Sequence, residues 1–302
     1  MQTVQTVPTP LANPLTPPRR PLGTVGRTVA LFRLELAESL RSRWLLLAAV
    51  AYAAGLGAFV WLGLRESSVL GFTGLSRVVL GICNATVVIL PLVALVATCQ
   101  SITRSRAVGH LELLLTQPVR RGEWFTALLL ARALTLLAPL ALLLGGLLAL
   151  EPLLQQSDPT LLPMTLHALA VASSLLLAFV GLGTLVSAVS KTPERAVVLA
   201  LLVWLATAML HDFALIGLLL QWRVPAPLVF ALAALNPVEA ARLAVLSAVD
   251  PELALLGPVG FWLANQLGPT LTYLAGLLWP ALVGLSAAAL ASAMVKRRDA
   301  VG

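Results

Sequence analysis

The chain predicts an all-α integral membrane protein with six transmembrane helices and both termini in the cytosol. Three observations carry that prediction. First, of 302 residues 59% are hydrophobic and only 11% charged, with a mean hydropathy of +0.94. A soluble domain has about half apolar and a quarter charged residues, so this chain has too little polar surface to cover itself in water. Second, six apolar runs reach the roughly 20 residues that a helix needs to cross about 30 Å of hydrocarbon. Third, fifteen of the 20 Lys and Arg residues fall on one side of those runs. Only Arg65, Arg77, Arg223 and Arg242 fall on the other, with Arg132 inside a run. Basic loops stay cytosolic, so the formal charge of +7 reflects topology, and no nucleic-acid partner is expected.

Taken in order, residues 1–26 are rich in proline and lack periodicity, as a disordered cytosolic tail does. They have neither the basic start nor the apolar centre of a cleaved secretory signal. The predicted spans are 44–63, 78–99, 124–150, 161–190, 196–220 and 269–295. Several exceed the minimum and are expected to tilt. Pro91, Pro139 and Pro280 lie within spans, where neighbouring helices can take up the freed carbonyls. The glycines of Gly181-Leu-Gly-Thr-Leu185 predict close helix packing.

Between spans five and six, residues 221–268 are apolar in pieces too short to cross. They predict outer, membrane-hugging helices, with Arg242 on the polar face of one. Asn236-Pro237 reads as a turn that opens a helix, with Glu239 in its first turn.

The stretch 101–123, SITRSRAVGHLELLLTQPVRRGE, interrupts two spans. Its centre is apolar but too short to cross. Leu111, Leu114 and Leu115 share one helical face, as in an anchor that lies in a partner's groove or along a membrane. Pro118 ends that helix, Gly109 permits its entry, and Arg120 and Arg121 suit anionic headgroups or an acidic partner. A basic loop that merely obeys the topology rule is the simpler reading of the same charges.

The whole pattern G-H-L-E-L-L-L-T-Q-P-V-R-R resembles the cytosolic coupling segment of ABC-2-type transporter permeases, roughly G-T-L-x-L-L-L-[ST]-x-P-V-x-R. Gly109, Leu111, Leu113, Leu114, Leu115, Thr116, Pro118, Val119 and Arg121 match it. Within that family, Glu35 to Leu46 is similar to the amphipathic entry helix of the NosY-type branch, which serves nitrous-oxide-reductase maturation. Gly71 to Thr73, Trp204 to Asp212 and Asn236 to Leu243 resemble the same branch. The chain departs from the family in having Ser105 and Ala107 where two acids usually precede the glycine, His110 for threonine, and Leu128 for a frequent lysine. With Arg104 and Arg106 it is more basic there, which suits a more acidic partner.

The resemblance implies a permease domain over 27–302 in a bacterial or archaeal cytoplasmic membrane. Two copies would pair and dock two cytosolic ATPase subunits, which would supply ATP-Mg and all hydrolysis. The branch further implies export of a small sulfur-containing species for maturation of a periplasmic copper enzyme. A periplasmic accessory protein would meet the outer excursion through Asn236, Pro237 and Arg242. The chain itself has no G-x-x-x-x-G-K-[ST] phosphate loop, so no catalytic residue and no bound cofactor are expected.

Charges within spans invite functional hypotheses, since each costs about 2.5–3.5 kcal/mol to insert. Arg132, His167, His211 and Asp212 are the translocation or gate candidates. Arg132 and Asp212 differ in depth by about 10 Å and are not expected to pair. Snorkelling to the headgroups is the alternative for Arg132. His167, His211 and Asp212 share a depth and predict a polar cluster near the outer mouth. That cluster reads equally as a gate and as an interhelical hydrogen-bond knot.

Cys83 and Cys99 are expected to pack as small hydrophobes, and no metal site is expected. A secondary transporter that uses His/Asp protonation without ATP is the competing function, although no internal repeat with broken helices is visible. An intramembrane enzyme is disfavoured because His211 and Asp212 point about 100° apart on a helix.

Overall fold

The computed structural model describes residues 23–41, 50, 53–55, 57–58, 61, 74–109, 119–152, 159–221, 225–250, 253 and 257–298. All regular structure in this set is helical. We number the helices α1 Thr24–Arg41, α2 Gly74–Thr98, α3 Ser101–Ala107, α4 Arg121–Leu150, α5 Leu161–Val189 and α6 Pro193–Leu205. A π-helical turn, Ala206–Leu210, then leads into α7 His211–Gln221. The chain continues as α8 Ala226–Leu235, α9 Pro237–Val249, α10 Gly257–Gln266 and α11 Gly268–Arg298.

Among the described residues five helices are long and apolar enough to cross a membrane. There are six if α8 and α9, bent by 115° at Asn236, count as one broken span. The predicted first span, 44–63, lies largely outside the described residues, as do Gly71 to Thr73. Helix α1 begins at Thr24, inside the segment 1–26 that the sequence reads as a tail; residues 1–22 lie outside the described residues.

Helix α5 is the centre of the bundle. It packs against α2, α4, α9 and α11, and it buries Val171, Leu175, Leu176, Phe179 and Val180 among them, while Leu162 and Leu166 stay exposed. Small residues make this possible. A Cβ on Gly181 would overlap the Gly284 backbone of α11, and one on Gly284 would overlap the Leu177 carbonyl of α5. A Cβ on Gly183 would overlap the Thr98 side chain of α2. Backbones touch here because no side chain separates them, as the GLGTL stretch predicts. Ser174 adds a hydrogen bond from its hydroxyl to the Leu277 carbonyl across the same seam.

Span five, formed by α6, the π turn and α7, stands apart. Only Ala196 and Ala200 of α6 are buried, while Leu201, Leu202, Leu210, Phe213 and Leu220 face outward. Its start follows the sequence closely. Thr192 caps it by accepting from the Arg195 amide, Pro193 takes the first turn, and Glu194 favours the helix dipole.

The excursion between spans five and six differs from the expected membrane-hugging helices. Helix α9 does not lie on the surface: Pro237, Val238, Ala240, Ala241, Ala244, Val245 and Ser247 are buried against α5 and α11. The reason is size. Ala240 and Ala244 let α9 reach the backbone of Gly276, where a Cβ would overlap the Ala240 carbonyl. Alanine-rich sequence reads as weakly amphipathic, yet it is what close packing against a glycine requires.

Candidate functional site

Two polar assemblies occupy opposite ends of the bundle. The first surrounds the predicted coupling segment. Residues 101–107 do not begin a loop: α3 continues the helical path of α2 after a short break, and Ser101, Ile102 and Thr103 are buried. The Ser187 hydroxyl of α5 accepts from the amides of Ile102 and Thr103 at 2.9 and 3.1 Å, meeting the orphan donors of a helix start. Gly109 then ends α3 in the left-handed region, φ +70°, donating to the Arg106 carbonyl at 3.1 Å. This is the helix-stop geometry that favours glycine.

Leu111, Leu113, Leu114, Leu115, Thr116 and Pro118 lie outside the described residues. The chain is described again at Val119 and enters α4, which starts at Arg121, within the stretch assigned to the coupling segment. Glu123 turns back to accept from the Arg120 amide at 3.1 Å and from Arg27 of α1 at 3.1 Å. Arg121 donates to the Lys296 carbonyl of α11 at 3.2 Å. The exit of the segment is therefore tied to both α1 and the end of α11.

The seam between α1 and α4 is polar. Its buried positions on α1 are Leu31, Glu35 and Ser39, four apart and so on one face, while Val29, Leu34 and Leu40 are exposed. Trp124 donates its indole N–H to Glu35 Oε1 at 2.8 Å in a buried contact. Arg132 is buried, 9% exposed, and the charges acting on its guanidinium are Glu35 and Glu38 of α1. An arginine inside an apolar run signals that some acid must answer it, but only the fold identifies α1 as the source.

The second assembly lies where the π turn of span five meets the α8–α9 elbow. Arg242 of α9 places Nη1 2.6 Å from Glu239 Oε1 on its own helix and 3.3 Å from Asp212 Oδ2 on α7. Arg242 is 43% exposed at its side chain and Asp212 28%, so this pair is only partly buried. His211 Nε2 donates to the Leu232 carbonyl of α8 at 3.1 Å, and its Nδ1 stands 3.9 Å from Asp212 Oδ1.

Asn236 joins the pieces. Its Oδ1 accepts from the Val238 amide at 3.0 Å, capping α9, and its Nδ2 donates to the Thr207 carbonyl at 2.6 Å. A π turn misaligns helical carbonyls with their usual donors, and this side chain answers one of them. Trp279 of α11 also donates to the Leu235 carbonyl at the end of α8, at 3.2 Å.

The structure therefore brings together His211, Asp212, Asn236 and Arg242, with Pro237 as the first residue of α9. It does not bring in His167, whose ring packs edge-on against Tyr273, centroids 4.9 Å apart, and donates to the Pro163 carbonyl at 2.6 Å. Equal depth places residues in one layer but leaves their azimuth open, and α5 turns His167 toward α11. Glu239 joins the cluster instead. The sequence shows it only as a first-turn acid, three residues before Arg242. Among the described residues no group of three His, Cys, Asp or Glu side chains is placed to hold a metal ion, and Cys83 and Cys99 are buried free thiols.

Comparison with known proteins matches residues 29–299 to the ABC-2 family transporter protein model. The chain belongs to the ABC-2 transporter family. A probable ABC transporter permease protein NosY of Stutzerimonas stutzeri is 30% identical over 275 residues, covering 88% of this chain and 96% of the relative. The one from Pseudomonas aeruginosa is 32% identical over 268 residues, covering 86% and 94%. As an ABC-2 permease the chain is a multi-pass membrane subunit and not itself an enzyme, in keeping with its lack of a phosphate loop.

Proposed function

We propose that the chain is the membrane half of an ATP-driven exporter in a bacterial or archaeal cytoplasmic membrane. Two copies pair, and a separate ATPase docks on residues 109–121 of each. The observation that carries this reading is the bracing of that segment: Gly109 ends α3 on one side, while Glu123 and Arg121 clamp the other side to α1 and α11. A push on Leu111, Leu113, Leu114, Leu115 and Pro118 would thus reach three helices at once, as a lever must to bias a two-state bundle. The outward apolar face of span five is where a second copy would pack. With Asp212 and His211 it forms the moving wall, and Arg132 couples α1 to α4.

The cargo that the sequence resemblance implies is a small sulfur-containing species for maturation of a periplasmic copper enzyme. A periplasmic partner would contact the elbow at Asn236, Pro237 and Arg242. The test is co-purification in mild detergent of wild type and a Leu114→Asp, Leu115→Asp double variant at matched expression. An ATPase subunit that accompanies wild type and is lost from the variant supports the lever. If no ATPase accompanies either, and ATP leaves vesicle transport unchanged, the proposal fails. The Asp212 cluster would then favour a transporter driven by protonation.

A further inference from the structure

A groove with about 290 Å³ of accessible space lies beneath the α8–α9 elbow, open to the surface and lined by Phe230, Ala234, Leu243, Ala275, Gly276 and Trp279 among others. It is about twice the 150 Å³ of an apolar cavity that holds benzene, and about the size of a small ligand site. Its chemistry is uniform, for no charged side chain lines it. The two polar groups in its wall are already engaged: Thr272 donates its hydroxyl to the Gly268 carbonyl at 2.8 Å, and Trp279 donates its N–H to the Leu235 carbonyl. A buried water needs two to four polar partners, and these walls offer almost none. Left empty, the same walls would forfeit their dispersion contacts. The occupant must be hydrocarbon.

We propose that this groove binds an acyl chain of a membrane phospholipid, as a site distinct from the polar cluster and the coupling segment. Its position selects the lipid. Thr272 to Trp279 lie in the first half of α11, about 6–17 Å from the Gly268 end at 1.5 Å per residue, about the depth of one leaflet. On the same helix Leu271, Leu274 and Leu278 are exposed, so the groove adjoins a surface that hydrocarbon already wets.

The elbow makes room for the chain. At Asn236 the path bends by 115°, and α9 is drawn against Gly276 by Ala240 and Ala244. Helix α8 therefore diverges from α11 and leaves a wedge between them. Trp279 closes that wedge at its apex by holding the last carbonyl of α8. A chain seated there supports the elbow that carries Asn236 and, through it, the π turn of span five.

The test uses the full-length protein in vesicles that contain a phosphatidylcholine with a diazirine on one acyl chain. After irradiation, labelled peptides are mapped by mass spectrometry. Wild type, Ala234→Trp and Ala275→Trp fill or spare the groove, and Leu282→Trp on the exposed face of α11 is the control. All are checked for a single peak on size exclusion.

The proposal expects label concentrated on 230–243 and 272–279. It expects that label to be lost in both filling variants and kept in Leu282→Trp. Label spread evenly over the exposed face of α6, or unchanged by either filling variant, overturns it. So does a disulfide between two copies through Ala231→Cys paired with Ala275→Cys, since a second copy would then occupy the wedge.

Discussion

Glu35 is the residue on which the α1–α4 seam turns. It is 4% exposed, accepts from the Trp124 indole at 2.8 Å, and acts electrostatically on the buried Arg132. Replacing it with alanine strands the indole donor, at about 1–3 kcal/mol. It also removes opposing charge felt by a buried guanidinium; if the two act as a buried pair, the total loss is about 3–5 kcal/mol. Glu35→Gln keeps an acceptor for the indole and should cost about 2 kcal/mol, the difference of those two terms. Trp124→Phe removes the donor and leaves the charges, at about 1.5 kcal/mol.

Pairing Glu35→Gln with Arg132→Met should recover most of the loss, since an apolar replacement of a buried pair is often neutral. Thermal unfolding of the purified protein in detergent reads these values at about 2 °C per kcal/mol. The order expected is Glu35→Ala lowest, by about 6–10 °C, then Glu35→Gln, then Trp124→Phe. If Glu35→Ala melts within about 1 °C of wild type, or the double variant is no better than Glu35→Gln, the seam is not electrostatic and the reasoning is refuted.

Three further outcomes follow from the same geometry. Gly181→Leu must force α5 from the Gly284 backbone and should cost about 1–3 kcal/mol or more. Gly146→Ala, where a Cβ meets open space, should be neutral or stabilising by up to about 1 kcal/mol; equal melting of the two would contradict the packing. Asn236→Ala should raise hydrogen exchange in both the π turn and the start of α9. Asn236→Asp, which keeps the cap but not the Thr207 bond, should raise it in the π turn alone. Gly109→Ala places a Cβ in the left-handed region at about 1–2 kcal/mol and should weaken ATPase co-purification without lowering the melting temperature comparably; unchanged co-purification would show that the turn does not aim the segment.

Much of the architecture follows from the sequence alone because membrane burial is a one-dimensional constraint. Apolar length sets where helices 74–98, 121–150, 161–189 and 268–298 run, and local chemistry sets their starts at Thr192-Pro193 and Asn236-Pro237. The coupling motif, too, is a linear pattern, and it sufficed to indicate the family. What tertiary structure decided is azimuth and partnership.

Depth alone grouped His167 with Asp212, but the rotation of α5 carried His167 to Tyr273 and left Glu239 and Arg242 as the companions of Asp212. Hydropathy read α9 as a surface helix, whereas its alanines fit the glycine of α11 and draw it inward. Arg132 announced a buried charge, and only the docking of α1 showed that Glu35 is buried in the seam with α4. Such contacts join residues 89 positions apart for Glu35 and Trp124, or 30 for Asp212 and Arg242. No local periodicity encodes them, because they arise from how helices already formed are turned and seated against one another.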